Sequence, residues 1–365
     1  MSDRPVLLVT NLVPQDRVAS LRALHERAGL EVAIYDGRQH HATGGADDPG
    51  VPHRRISQRA AYGLAASGRY RAVIATSAGR LALPAAFLGA RRAGVPFLYW
   101  TGIWHQVATP AHLAAIPLLR WIERSADGTI AYGEHVAAYA RGHGSRNVVV
   151  APQAVDGRFW GAPVDPAAVA AARVAAGSPA FLALYAGRAT PGKGVDVLLD
   201  ACARAGLTPP EAALALAGPR AGDLPERAAA SGGVVALGHV APEQLRNLYA
   251  AADVVVVPSV PTRAFREPWA LVVNEAMSQR TPVIATDAVG AAAGGLVRDG
   301  QTGFVVPAGD PAALASAITT LHGDAALRDR LGAAGSAAVA AYTPDAWADA
   351  VCTALATALS GDTGR

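Results

Sequence analysis

The chain has 365 residues, of which 51% are apolar and 17% charged, with a net charge of +3. This length suits two domains, and the apolar content lets each bury a core, which excludes a disordered chain. Two cysteines, Cys202 and Cys352, are too few for a disulfide framework and lack metal-ligand spacing.

The N-terminal half alternates two kinds of segment. PVLLVT (5–10), LEVAIY (30–35), YRAVIAT (70–76), VPFLYWT (95–101), DGTIAYG (127–133) and NVVVAP (147–152) are short apolar runs of buried-strand type. Helix-like segments lie between them at 16–28, 79–92 and 111–125. Residues 1–4 lead straight into the first strand, without the ordered regions of a signal peptide. No run of about 18 uncharged apolar residues is present. The expectation is a cytoplasmic protein with no spanning helix.

This half is basic. Residues 1–160 hold 18 Arg against 11 Asp or Glu, or +7, so the remainder sums to −4. Such a half suits an anionic partner or a membrane surface. No nucleic-acid-binding module is recognisable, and no nucleic acid is expected as a partner. In 110–126, PAHLAAIPLLRWIERSA, Leu113, Ile116, Leu119 and Ile122 recur at helical spacing near Arg120 and Arg124. That pattern fits either a core-facing helix or one lying on a membrane, peripheral to its inner face.

Residues 153–178, with Gly157, Gly161, Pro163 and Pro166, read as a looser connection. The alternation then restarts. FLALYAG (181–187), EAALALAG (211–218), GVVALGH (233–239), ADVVVVPS (252–259), PVIATD (282–287) and TGFVVP (302–307) read as strands. Segments 194–205, 241–251, 268–280, 310–322 and 325–360 read as helices. The expected fold is α/β, with two tandem doubly wound parallel sheets of Rossmann-like type. The divisions are an N-terminal domain at 1–160, a linker at 161–179, a C-terminal domain at 180–345, and a final helix at 346–365 that packs back on the first domain.

Ligands of such folds bind at the carboxyl ends of the strands. There, YAGRATPGKG (185–194) runs from a strand through Gly187, Arg188 and Lys193 into a helix. Glycines let backbone approach a ligand, a helix start offers amides to an anion, and two cations share the loop. Lys193 is the only lysine among 32 basic residues, and an ammonium is a compact point charge where a guanidinium is a planar fork. The loop reads as a diphosphate site with Lys193 exposed on it; no Ser or Thr follows the lysine, so it is not a Walker loop. In EPWALVVNEAM (267–277), Pro268 suits a helix start, which offers the amides of Trp269, Ala270 and Leu271 to a ligand. Glu275 lies eight residues after Glu267, about 12 Å along a helix. That is too far for a shared metal and fits two carboxylates gripping separate hydroxyls of one extended ligand. TDAVGAAAGGLVRDGQTGFVVPAGD (286–310) supports the cleft without a reacting group.

Residues 185–310 resemble the family 4 glycosyltransferases of the GT-B fold, also called glycosyl transferases group 1. The likeness lies in the GR-x-x-x-x-KG loop, in GHVAPEQLRNLYAAADVVVVPS (238–259), in Glu267 and Glu275 as E-x7-E, in RTPVIATD and in DGQTGFVVP. In the N-terminal half, APQAVDGRFW (151–160) is similar to a family segment that usually reads PNGVD-x-x-x-F.

The resemblance implies a transferase of hexosyl or N-acetylhexosaminyl type. It would take a sugar from a UDP- or GDP-sugar, with retention of anomeric configuration and with neither cofactor nor obligatory metal. Arg188 and Lys193 would bind the diphosphate, and Glu275 the ribose. Glu267 would meet the donor sugar, with Gly187 and the amides at Trp269, Ala270 and Leu271 beside it. His239 and Val240 would meet the base. No residue stands as a glycosidase-type nucleophile, which favours same-face attack with the leaving phosphate taking the acceptor proton. The acceptor stays open among a glycan, a lipid-linked sugar and a secondary metabolite.

Several positions depart from the pattern. Ala270 replaces a usual Gly, Gln153 and Ala154 replace Asn-Gly, and TNLVPQDR (10–17) lacks the paired glycines of the family's acceptor loop. Thr101 and Gly102 stand where many members carry a His, and His105 lies three residues later as an active-site candidate. A nucleotide-dependent oxidoreductase needs a glycine fingerprint that residues 8–17 lack. A sugar-nucleotide epimerase of the same fold needs further acid/base residues. A non-catalytic sugar-nucleotide-binding or scaffold protein is the remaining alternative, and the intact set of Arg188, Lys193, Glu267 and Glu275 argues against it.

Overall fold

The computed structural model describes residues 4–35, 48–219 and 233–361. They form two compact units: the residues up to Asp156 joined by those from Tyr342 onward, and Gly157–Ala341.

The first unit is built on a seven-stranded parallel sheet. Its strands are β1 (Val6–Thr10), β2 (Leu30–Tyr35), β3 (His53–Ile56), β4 (Ala72–Thr76), β5 (Phe97–Thr101), β6 (Gly128–Ala131) and β7 (Val148–Val150), in the order β3-β2-β1-β4-β5-β6-β7. Successive residues of a strand point to opposite faces. Val6 and Leu8 of β1 therefore join one core with Leu21 and Leu24 of α1 (Val18–Ala28). Leu7 and Val9 join the other with Phe87 of α3 (Ala82–Ala93) and Ala61 of α2 (Ala60–Ala65). Strand β3 was not expected. Its sequence, HRRI, alternates exposed and half-buried residues at the sheet edge, where charge discourages pairing with another chain and no apolar run can form.

The helix Pro344–Leu359 belongs to this unit and covers the same face as α1. Trp347 is fully buried there, and Arg27 of α1 pairs with Asp345 at 2.6 Å and Asp349 at 2.8 Å. The last residues of the predicted helix 346–365, 362–365, lie outside the described ones. Helix α4 (Pro110–Ser125) follows β5. Of the stripe Leu113, Ile116, Leu119 and Ile122, only Ile122 is fully buried, whereas Leu113 is 48% exposed. The outward side of α4 also carries Leu118 and Trp121, which the stripe did not include.

The second unit has a six-stranded parallel sheet in the order β10-β9-β8-β11-β12-β13. The strands are β8 (Phe181–Ala186), β9 (Ala212–Ala217), β10 (Val234–Gly238), β11 (Val254–Val257), β12 (Val283–Thr286) and β13 (Phe304–Val306). Segment 161–179 is not an open linker. It contains the helix Pro166–Ala175, capped by Asp165, whose Oδ1 accepts from the Ala167 amide at 2.7 Å. Arg173 of that helix pairs with Asp253 at 2.6 Å, which fixes the segment on the second unit. Of the glycines and prolines that suggested a connection, Gly157 starts the short helix Gly157–Trp160 and Pro166 starts this one.

Candidate functional site

The second sheet runs outward from β8 to β10 and then resumes on the other side of β8 with β11. Strand order thus reverses between β8 and β11, the point where loops part and leave a crevice at the carboxyl ends. The loops after these two strands carry most of the residues singled out by sequence.

After β8 comes Gly187, whose amide donates to Ala217 O at 2.9 Å. A Cβ on the neighbouring Gly218 would lie 1.9 Å from Gly187 O, so two loop backbones touch where no side chain fits. Arg188 follows, and its carbonyl accepts from the Tyr185 hydroxyl at 2.7 Å. Gly194, with φ 69, precedes the helix Val195–Arg204; a Cβ there would lie 1.9 Å from Pro258 O. This contact clamps the β8 loop to the β11 loop.

The clamp brings Lys193 to Glu267. The Lys193 ammonium donates to Glu267 Oε2, and the Ser259 hydroxyl donates to the same oxygen at 3.2 Å. The Lys193 side chain is 23% exposed and that of Glu267 only 8%, with the Phe265 ring 5.5 Å from the ammonium. Lys193 is therefore not the exposed loop cation its sequence suggested: it sits at the reversal point, half of a largely buried pair. Tyr185, close by, has its pKa raised by burial and secondarily by the Glu267 charge.

Glu267 does not begin a helix. It bridges Val289 as a strand would, and its carbonyl accepts from Gly290 N at 3.0 Å. The helix spans Val272–Ser278, so the interval from Glu267 to Glu275 is not a helical rise of about 12 Å. Pro268 fits this extended entry, since it has no amide to pair. Trp269 is buried, donates from Nε1 to Asn274 Oδ1 at 2.8 Å, and accepts on its carbonyl from Ala291 N at 2.9 Å. Ala270 has φ 75, left-handed backbone that favours glycine. Ala270 adopts that shape despite its methyl group, at the position where the resemblance implies glycine. Leu271 caps the helix.

Glu275 lies in that helix and is 9% exposed. Its Oε2 accepts from the hydroxyl of the fully buried Tyr249 at 2.7 Å. Tyr249, on the helix Pro242–Ala251, has its pKa raised well above 10 by burial and then by the Glu275 charge. His239 and Val240 follow β10 at the same carboxyl edge, His239 exposed and Val240 half-buried. The end of β10 is tied to β9 by Gly218 N to Gly238 O at 2.7 Å. His105 belongs to the first unit, after β5, beside Trp104, whose ring meets His135 at 4.7 Å. Among the described residues no group of three metal-ligating side chains is gathered.

Sequence reading named Lys193, Glu267 and Glu275 but not the groups that hold them. Tyr249 and Ser259 both stand inside GHVAPEQLRNLYAAADVVVVPS, and their hydroxyls were the available signal. Asn274 and Phe265 carried none, because their roles arise only when the loop closes.

Residues 180–324 match the family described as Glycosyl transferases group 1. A D-inositol 3-phosphate glycosyltransferase of Streptomyces scabiei is 34% identical over 281 residues, 69% of this chain and 60% of that protein. A phosphatidyl-myo-inositol mannosyltransferase of Mycobacterium leprae is 36% identical over 156 residues, 42% of this chain and 40% of that protein. The chain thus spans less than two thirds of the length of these curated relatives. Among solved structures, Anabaena HepE in complex with UDP superposes with a TM-score of 0.79 at 20% identity, covering 96% of this chain and 99% of that one. Sucrose-phosphate synthase from Thermosynechococcus elongatus gives 0.72 at 23% identity, covering 96% and 98%. At these identities the likeness carries the fold, which is GT-B.

Proposed function

We propose that this chain, which belongs to the glycosyl transferases group 1 family through residues 180–324, transfers a sugar from a nucleoside diphosphate to an acceptor hydroxyl. The observation that carries the reading is the Lys193–Glu267 pair at the reversal point between β8 and β11. An ammonium held there by a carboxylate is fixed in place before a ligand arrives. A diphosphate would then meet an oriented cation at little reorganisation cost.

In this reading Lys193 and Arg188 take the charge that develops on the leaving diphosphate, and no metal is needed. Gly187 lets the phosphates approach backbone. Glu275, oriented by Tyr249, accepts from the ribose hydroxyls, and the turn at His239 and Val240 meets the base. Glu267, beside the turn at Trp269, Ala270 and Leu271, faces the donor sugar. The bond from the anomeric carbon to the β-phosphate oxygen breaks as the acceptor oxygen bonds to that carbon on the same face. The acceptor proton passes to the departing phosphate, so configuration is retained. His105 is the first-unit candidate for a catalytic role.

HepE is in complex with UDP, so UDP-sugars are the first donors to test, with GDP-sugars beside them; the transferred group is a hexosyl or N-acetylhexosaminyl unit. Inositol phosphates are the first acceptors, after the names of the relatives. We place the protein in the cytoplasm, in peripheral contact with the membrane through 110–126; among the described residues no helix is long and apolar enough to cross one.

The test is release of nucleoside diphosphate from a panel of sugar nucleotides, with and without acceptor, followed by nuclear magnetic resonance of the product's anomeric proton. An isomerised donor would replace the reading with epimerisation, and a donor bound but never consumed would replace it with a binding protein. An inverted product would remove the same-face step.

A further inference from the structure

An apolar side of a helix is normally covered, and the outward side of α4 is apolar. Residues 110–119 contain no Asp, Glu, Lys or Arg, and the inward side carries Ile122 and the paired Arg120 and Glu123. The outward side carries Leu113, Leu118 and Trp121, which are 48%, 43% and 49% exposed. Trp121 meets the ring of Phe87 of α3 edge-on at 4.9 Å, so the apolar surface continues from α4 onto α3, where Leu88 is 48% exposed. The described residues expose eight large apolar side chains, and six of them, Tyr62, Leu81, Leu88, Leu113, Leu118 and Trp121, lie on or beside α2, α3 and α4. Isolated exposed leucines need no explanation, but a concentration of this kind marks an interaction surface.

Charge decides what covers it. From residue 49 to residue 126 the chain carries ten arginines and a single acid, Glu123, which Arg120 occupies. Arg91, Arg92 and Arg124 flank the apolar side chains, and all three are exposed. The acids facing them are Asp127, which meets Arg91 at 3.3 Å, and Glu134 of the helix Glu134–Gly142, which meets Arg141 at 3.5 Å. Apolar side chains ringed by arginines are complementary to acyl chains beneath anionic headgroups.

We propose that the α2–α4 face of the first unit docks on an anionic lipid bilayer, with Leu118 and Trp121 entering the headgroup–acyl boundary and Arg91, Arg92 and Arg124 meeting the headgroups. This deepens the peripheral contact through 110–126 and widens it to three helices. It rests on that part of the reading and not on the transfer chemistry. Arginine at an anionic surface and apolar burial each contribute to binding, so losing either weakens it.

The experiment is co-sedimentation of the full chain with vesicles of phosphatidylcholine alone and of phosphatidylcholine mixed with phosphatidylglycerol. Binding is expected on the mixed vesicles, falling with added salt, and about tenfold or more weaker on phosphatidylcholine. Leu118→Asp/Trp121→Asp and, separately, Arg91→Glu/Arg92→Glu should each lower binding by about tenfold or more. Val174→Asp, at a side chain 67% exposed on the second unit, should leave it unchanged. Equal binding to both vesicles, or double variants that bind like the parent, overturns the proposal. So does parent self-association in sedimentation velocity that Leu118→Asp/Trp121→Asp abolishes without any vesicle binding, since the face would then join two copies of this chain. Circular dichroism confirms that each variant is folded, and calorimetry with UDP in the absence of lipid separates failure here from failure of the donor site.

Discussion

Removing Lys193 should destabilise the second unit, by an amount that depends on whether Glu267 is still charged. Both partners are largely withdrawn from water, with side chains 23% and 8% exposed. Losing one member of a fully buried pair costs about 3–5 kcal/mol, because the survivor keeps its desolvation without its partner. The Ser259 hydroxyl remains on Glu267 Oε2 at 3.2 Å, and Lys193 retains some solvent, so the cost of Lys193→Ala falls near the low end, about 3 kcal/mol. Glu267→Gln leaves the more exposed partner, with water and the Phe265 ring at 5.5 Å. Its cost is about 1–2 kcal/mol. Additivity would put the double variant at about 4–5 kcal/mol. In the double variant no charge is left buried alone, so we expect it near 3 kcal/mol, a coupling of about 1.5 kcal/mol.

Urea unfolding followed by circular dichroism gives all four stabilities, provided the slope with denaturant stays constant. Since the pair is mostly shielded, the coupling should survive added salt that would screen an exposed pair. Costs that add to within about 0.5 kcal/mol would show that the two groups do not interact in solution. Glu267 would then not preset the cation. Loss of activity in either single variant would not test it, because every reading of the site predicts that loss.

Other outcomes follow from the same geometry. Glu275→Gln should weaken UDP binding about ten- to a hundredfold in calorimetry, and Tyr249→Phe should weaken it less by releasing Glu275; Glu267→Gln, which frees the Lys193 ammonium, should weaken UDP binding less than Glu275→Gln does while slowing turnover. Turnover should persist in excess chelator, and an absolute requirement for Mg²⁺ or Mn²⁺ would refute a field supplied by Lys193 and Arg188 alone. Ala270→Gly should raise stability by a few tenths to about 1 kcal/mol, because relief at a left-handed position outweighs glycine's added entropy; a loss in thermal midpoint would contradict the backbone assignment. Burial pushes Tyr35 and Tyr70 up to about 12, above the value near 10 of an unfolded tyrosine. Their contribution is present below about pH 10 and lost as pH rises through about 12, so urea midpoints should fall across that window, and a flat profile would refute it.

The fold was legible because parallel strands covered on both faces must be continuously apolar, and twelve such runs stand out between PVLLVT and TGFVVP. Strand β3 escaped because an edge strand is under no such demand: HRRI is basic and half-exposed. The helix Pro166–Ala175 was hidden by its own cap, since Pro163, Asp165 and Pro166 read alike as a helix start and as a connection. At the site, motif spacing identified Lys193, Glu267 and Glu275 but misjudged their surroundings. A proline after Glu267 suggested a helix start, whereas the left-handed turn at Ala270 delays the helix to Val272. Nothing local announces that turn, because the residue occupying it is not glycine.

The first unit departs most from the family pattern, and two of its departures are one contact. TNLVPQDR lacks the paired glycines and APQAVDGRFW lacks Asn-Gly, yet Arg17 of the first segment donates to Gln153 Oε1 of the second. The guanidinium lies 5.3 Å from the ring of Trp100, 6.0 Å from Tyr132 and 5.7 Å from Trp347. A planar cation can stack on aromatic faces while its edge still donates, which an ammonium cannot do as well. Glycines in such a loop let backbone come close; here a long side chain fills the space and reaches the helix Pro344–Leu359. Asparagine at 153 would stop one methylene short of Arg17, and glycine at 17 would leave Gln153 without this donor. Changing either position alone would therefore break this contact. In the second unit, by contrast, Lys193 and Ser259 both donate to the Glu267 carboxylate, so replacing Glu267 would remove both contacts at once.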